Sequence, residues 1–231
     1  YAWWIRRFRS ALDVFDAVRV DHFRGFAAFW EVPAGEPTAV HGRWVPAPGR
    51  ELFTAVRRAL GEVPLIAEDL GVSTPGVTAL RDAFGFPGMV ILQFAFDARE
   101  AGGLDALNRF LPHNHREHAV VYTGTHDNDT TAGWYAERTP AERAVVARYL
   151  GGEPADVAAA FIRLALSSVA RWAVVPMQDV LGLGAEARMN RPASSSGNWA
   201  WRAHGEAFTP QLAGRLRELA GLYGRTPRDK A

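Results

Sequence analysis

Five short runs rich in branched aliphatic and aromatic residues recur along the chain, at residues 17–23, 63–69, 88–96, 119–125 and 172–178. Amphipathic segments of helical period lie between them. This alternation constrains the fold more than any other feature, because strand, covering helix and next strand make a βα unit and therefore a parallel sheet. Helix starts are marked chemically: Thr74-Pro75, Thr139-Pro140 and Thr209-Pro210 each offer a hydroxyl cap followed by proline at the first helical position. Thr139 and Glu142 complete a capping box, and Gly151 can stop that helix. The segment 51–60 places Leu52, Phe53, Val56 and Leu60 on one face, as expected of a helix laid on a sheet. Trp3 and Trp4 fit a core-facing helical stripe, and the proline- and glycine-rich stretch 32–49 reads as a long surface loop.

Size and charge then narrow the class. At 231 residues, 48% hydrophobic and 22% charged, the chain buries a substantial core and is expected to form a single domain, residues 1–231. Its 26 basic and 25 acidic residues leave a formal net charge of +1, which offers no footprint for nucleic acid or an anionic membrane surface. With no cysteine there is no disulfide framework, thiolate nucleophile or thiolate metal site, and a cytoplasmic location is expected. No run of about 18 apolar residues suggests a membrane span, and no export signal is visible. The chain opens inside a helical pattern, without methionine.

Three acids sit where apolar runs stop: Asp21 in Val-Arg-Val-Asp-His-Phe-Arg-Gly-Phe, Glu68 in Pro-Leu-Ile-Ala-Glu-Asp-Leu-Gly, and Asp127 in Tyr-Thr-Gly-Thr-His-Asp-Asn-Asp. In a parallel α/β barrel the C-terminal ends of the strands carry the chemistry, so side chains there converge on one cavity. The 47 residues from Asp21 to Glu68 suit one βα unit with an enlarged loop, and the 59 from Glu68 to Asp127 suit two units. A closed barrel needs eight strands, and five are visible.

The motifs at 18–26, 29–34 (Phe-Trp-Glu-Val-Pro-Ala), 37–40, 66–71, 93–97 (Gln-Phe-Ala-Phe-Asp), 111–114, 121–131, 176–181, 188–190 (Arg-Met-Asn) and 196–199 (Ser-Gly-Asn-Trp) together resemble the 4-α-glucanotransferases known as amylomaltases or disproportionating enzymes. The resemblance runs in order over nearly the whole chain. It implies a (β/α)8 TIM-barrel fold, of which this chain would supply the C-terminal five βα units. It also implies Asp21 as nucleophile, Glu68 as general acid/base and Asp127 as the carboxylate that stabilises the transition state. Arg19, His126 and Asn190 resemble the family's sugar-contacting residues. No cofactor or metal is implied, and the partners would be maltooligosaccharides and starch- or glycogen-like glucans.

The residues support those roles on chemical grounds. Retaining cleavage of an α-1,4 bond needs one ionised carboxylate to attack the anomeric carbon and one protonated carboxyl to release the leaving oxygen. Arg19, two positions before Asp21, shares its side of the strand and would hold the nucleophile ionised. The apolar stretch Leu65-Ile66-Ala67 is expected to favour protonated Glu68. Phe94 and Trp30, with Trp44 and Trp134, are candidates for stacking on sugar faces, against the plainer reading of each as a packed aromatic. Three other readings remain: an α-amylase-like hydrolase using water, an inactive glucan-binding fragment, and a metal hydrolase built from His22, Asp69, His126 and Asp129 beside the three acids. The His113-Asn114-His115 pair has ligand spacing but follows Leu111-Pro112 in a loop, which suits no metal site.

Overall fold

In the computed structural model, which describes residues 1–71, 74–96 and 103–226, a strand forms in each of the five expected runs. The chain packs as two compact units, Tyr1–Met89 and Val90–Ala231.

The first unit begins with helix α1 (Ala2–Leu12) and strand β1 (Val18–Val20), which leads into a 3₁₀ turn at Phe23–Phe26. Strands β2 (Ala28–Glu31) and β3 (Arg43–Pro46) follow, then helix α2 (Gly49–Leu60), β4 (Leu65–Ala67) and α3 (Pro75–Ala83). β1 and β4 pair in parallel, with Val18, Arg19 and Val20 opposite Leu65, Ile66 and Ala67. The core beneath them mixes aromatic rings with aliphatic side chains. Leu52, Phe53 and Val56 of α2 are buried as their spacing predicts, and Phe53 lies 5.2 Å from both Phe26 and Phe86 and 5.6 Å from Phe23 between ring centroids. Burying one such phenylalanine contributes about 1.5–3 kcal/mol. Gly49 opens α2 where a Cβ would stand 2.1 Å from the Phe26 carbonyl oxygen, so only glycine allows that approach. Trp4 joins this core, stacked on Phe8 and edge-on to Phe26, but Trp3 is 55% exposed. The predicted core pair is thus split, because adjacent helical residues point about 100° apart.

Strand β5 (Gly88–Ile91) runs from the end of the first unit into the second, which then contains α4 (Leu92–Ala95), β6 (Ala119–Tyr122), α5 (Thr131–Ala136), α6 (Pro140–Leu150), α7 (Val157–Ser167), β7 (Trp172–Val174), α8 (Met177–Val180) and α9 (Pro210–Leu222). Its sheet runs β5-β6-β7, with Val120, Val121 and Tyr122 parallel to Trp172, Ala173 and Val174. Phe96, Leu111, Val121, Trp134 and Phe161 lie in its buried core. Thr139 and Glu142 form the expected capping box on α6, and Gly151 closes that helix at φ 84°. Thr209 caps α9, whereas Thr74 precedes α3 without a side-chain capping bond.

Several boundaries differ from the reading of the sequence. The described strands divide between sheets and form no closed barrel, so what stands is a mixed α/β chain with parallel strand pairing. The apolar run at 88–96 is a strand only to Ile91 and then turns helical, because periodicity cannot separate a buried strand from a buried helical turn. The expected loop at 32–49 contains β3, which pairs antiparallel with β2 and sets Trp30 opposite Trp44. Its connection is far longer than the two-residue turns that announce a hairpin in sequence. Asp97, the last residue of the 93–97 motif, lies outside the described residues.

Candidate active site

In the first unit the two acids take equivalent places. Val20 is in register with Ala67, so Asp21 and Glu68 each follow the last paired residue of neighbouring parallel strands. Arg19 donates from Nη2 to Asp21 Oδ1 at 2.8 Å, as expected of side chains two positions apart on a strand. The Asp21 side chain is 75% exposed and, with Arg19, lines a cleft of about 820 Å³ whose apolar wall includes Trp3, Phe8 and Phe26.

Glu68 is held by the main chain. Leu65 and Ala67 turn into the core, and the Glu68 carboxylate instead accepts two backbone N–H groups, from His22 to Oε2 at 2.8 Å and from Leu70 to Oε1 at 2.9 Å. Its main chain continues the strand pairing, with Glu68 N–H to Val20 O and Phe23 N–H to Glu68 O, both 3.0 Å. His22 delivers its N–H from a left-handed backbone, φ 47° and ψ 51°. A non-glycine residue rarely takes that conformation, and strain of this kind collects at functional sites. Asp69, the next residue, faces away: its side chain is 1% exposed, paired with Arg81 Nη1 at 2.5 Å and accepting the Met89 N–H at 2.9 Å. Although burial lowers the Arg81 pKa, its bonds to Asp82 and Asp69 outweigh that and raise it. Asp69 is therefore a structural anchor.

Trp30 lies on the hairpin, where its Nε1 donates to the Ala39 carbonyl at 2.9 Å and its ring meets Trp44 edge-on at 5.4 Å. Arg24 stacks over Trp44 with its guanidinium carbon 4.0 Å from the ring centre. Both tryptophans remain partly exposed.

In the second unit Asp127, His126 and Asn190 meet. Asn190 Nδ2 donates to Asp127 Oδ1 at 2.6 Å, and His126 Nε2 is 3.4 Å from Asp127 Oδ2. The neighbouring Asn128 closes a local turn by accepting the Thr125 N–H and hydroxyl, both at 2.9 Å. Trp199, also in a left-handed backbone at φ 60°, lays its ring 5.1 Å from that of His126. A cavity of about 150 Å³ lies among Thr125, His126, Asp129, Gln178, Arg188 and Trp199. Phe94 sits elsewhere in this unit, edge-on to Phe110 at 5.4 Å, and Trp134 is buried in the core.

Arg188 and Trp199 were legible only as members of motifs, and the left-handed His22 carried no composition signal. The His113 and His115 rings serve separate structural bonds: His113 Nε2 donates to the Ala106 carbonyl and His115 Nε2 to that of Phe110, at 2.9 and 2.8 Å. Among the described residues no three His, Asp or Glu side chains are arranged to hold a metal ion. Nor is any helix among them long and apolar enough to cross a membrane.

Comparison with known proteins shows what the chain is similar to. Residues 1–209 match the family described as 4-alpha-glucanotransferase. The 4-alpha-glucanotransferase of Thermus thermophilus is 56% identical over 228 residues, covering 95% of this chain and 44% of the relative. The chloroplastic/amyloplastic 4-alpha-glucanotransferase of Solanum tuberosum is 49% identical over 97% of this chain and 39% of its own length. Among solved structures, the amylomaltase from Streptococcus agalactiae in complex with acarbose superposes with a TM-score of 0.89 at 36% identity, over 97% of this chain and 45% of that one. The chain belongs to the 4-alpha-glucanotransferase family. It spans less than half the length of these relatives.

Proposed function

We propose that this chain carries the catalytic carboxylates of a 4-α-glucanotransferase, which moves α-1,4-linked glucan segments between maltooligosaccharides or starch- and glycogen-like glucans. The observation that carries this reading is the register of Asp21 and Glu68, one residue beyond the paired ends of adjacent parallel strands. Adjacent strands lie about 4.8 Å apart, which suits the separation of about 5–5.5 Å between the carboxyl groups of a retaining glycosidase.

Asp21 is the nucleophile. Its carboxylate oxygen attacks the anomeric carbon while the bond from that carbon to the leaving 4-oxygen breaks, and Glu68 gives the leaving oxygen its proton. Each Glu68 oxygen accepts one backbone N–H, which fixes the carboxyl group and leaves a second lone pair for the proton. The glucosyl ester on Asp21 is then attacked by the 4-hydroxyl of an acceptor glucan. Glu68 takes the acceptor's proton, the ester bond breaks, and two inversions restore the α configuration. Arg19, 2.8 Å from Asp21, stabilises the anion that attacks and later departs. Asp127, held by Asn190, opposes the positive charge that develops on the oxocarbenium-like ring. Arg19, His126 and Asn190 are assigned to sugar hydroxyls, and Trp30 and Phe94 to stacking. The chemistry asks for no cofactor.

The same proposal takes the strands in the five apolar runs as five of the eight in a (β/α)8 barrel that forms one catalytic domain. A cytoplasmic setting belongs to it, suited by a sequence without cysteine. The exposure of the Asp21 side chain favours a second reading, in which water attacks the ester and the enzyme hydrolyses. Incubation with maltotriose and separation of products by mass tests both. Glucose together with chains longer than maltotriose is expected; glucose and maltose alone would support hydrolysis and overturn transfer.

A further inference from the structure

Arg188 follows a short 3₁₀ turn, Ala185–Ala187, and its guanidinium reaches three places in the second unit. Nη2 donates to the backbone carbonyl of Asp127 at 2.8 Å, Nε donates to the carbonyl of Asn190 at 2.9 Å, and Nη1 lies 3.6 Å from Asp129 Oδ2. The first two partners are the residues whose side chains share the 2.6 Å bond from Asn190 to Asp127. One planar group therefore fixes both backbones of that pair, 63 residues apart in sequence. Asp129 supplies the third constraint. Its side chain is 5% exposed, Oδ1 accepts the Thr130 N–H at 2.7 Å, and Oδ2 has no hydrogen-bond partner, which leaves it facing the Arg188 charge.

We propose that Arg188 is a positioning residue that sets the orientation of the Asp127 carboxylate by clamping the backbones of Asp127 and Asn190, with buried Asp129 orienting the clamp. The inference rests on the proposed role of Asp127 in stabilising the transition state. A guanidinium presents its donors in a fixed fork that a lysine ammonium cannot reproduce. Lysine at this position keeps the charge near Asp129 and loses the simultaneous bonds to the two carbonyls. The role therefore separates from simple charge compensation.

The test uses the full chain with Arg188→Lys and Arg188→Gln, the ¹⁵N signal of the Asn190 side-chain amide, and maltotriose kinetics. In the wild type one Asn190 amide proton is expected to be shifted and protected by its bond to Asp127, and both variants are expected to lose that signature. In both, kcat is expected to fall about 10- to 100-fold, as a displaced catalytic group does, with KM changed little. An Arg188→Lys variant that keeps the Asn190 signal or the wild-type kcat would overturn the proposal, as would unfolding of both variants, which would make Arg188 a stability residue. Asp127→Asn in the same assay separates the two ideas. Transfer retained there, or no transfer by the wild-type chain, counts against the proposed function, and the amide signal alone then decides whether Arg188 positions Asp127.

Discussion

At the scale of single residues, the main chain does much of the work of placing the acids. Glu68 is oriented by the N–H groups of His22 and Leu70, and the first of these points correctly because His22 accepts a left-handed backbone. A β-branched residue tolerates that conformation less well than histidine, so His22→Val is expected to lower stability. Glycine takes it freely, and His22→Gly is expected to remain near wild-type stability. Chemical denaturation of both variants checks this, and equal losses would contradict the backbone argument. Glu68→Gln removes the proton that the proposed mechanism assigns to the leaving oxygen while keeping acceptor oxygen for one of the two amides. Transfer from maltotriose is then expected to fall by about 10²- to 10⁴-fold with the circular dichroism spectrum unchanged. The acids and Arg19 were legible in the sequence because strand periodicity puts positions 19 and 21 on one side. The amide cradle of Glu68 was not, since a left-handed histidine leaves no mark in composition.

Secondary-structure elements were read best where capping chemistry is local. Thr139, Glu142 and Gly151 mark α6 by themselves, and the structure places cap, box and stop on those residues. The hairpin β2–β3 was missed because its pairing is non-local, and the strand expected at 88–96 ran too long because a wholly apolar run has no period to read. His115 shows how a turn is pinned to a helix. Its Nε2 donates to the Phe110 carbonyl, so Nδ1 accepts from the hydroxyl of Ser168, the residue that ends α7, at 2.7 Å. Burial lowers the His115 pKa, while the bond to Phe110 acts in the opposite direction. The native form thus resists a proton that the unfolded chain takes up near its ordinary value of about 6.5. This contribution to stability is complete above about pH 6.5 and is lost as the pH falls through that value toward the folded-state pKa. Thermal midpoints at about pH 7.5 and 5 are expected to differ more for the wild type than for His115→Gln. Equal differences would exclude His115 as the source.

For the whole molecule, what matters is that each of the two units carries its own aromatic core. Phe53 is buried among Phe23, Phe26, Phe84 and Phe86 in one, and Phe161 among Phe96 and Trp134 in the other. Either phenylalanine replaced by alanine is expected to cost about 3–5 kcal/mol. Hydrogen exchange should show Phe53→Ala weakening the amides of β1 and β4 before those of β6 and β7, and uniform loss would contradict separate cores. The parallel pairing was visible in the alternation of apolar runs, whereas the division into two units was not, because it depends on long-range packing that no local pattern records. The central claim concerns one bond, between Asp21 and a glucosyl group, and it is tested most directly by trapping it. Glu68→Gln treated with α-maltotriosyl fluoride, whose leaving group needs no acid, is expected to gain the mass of a maltotriosyl group on the peptide containing Asp21. An adduct on another residue, or turnover without any adduct in a variant that also lacks Asp21, would contradict the account.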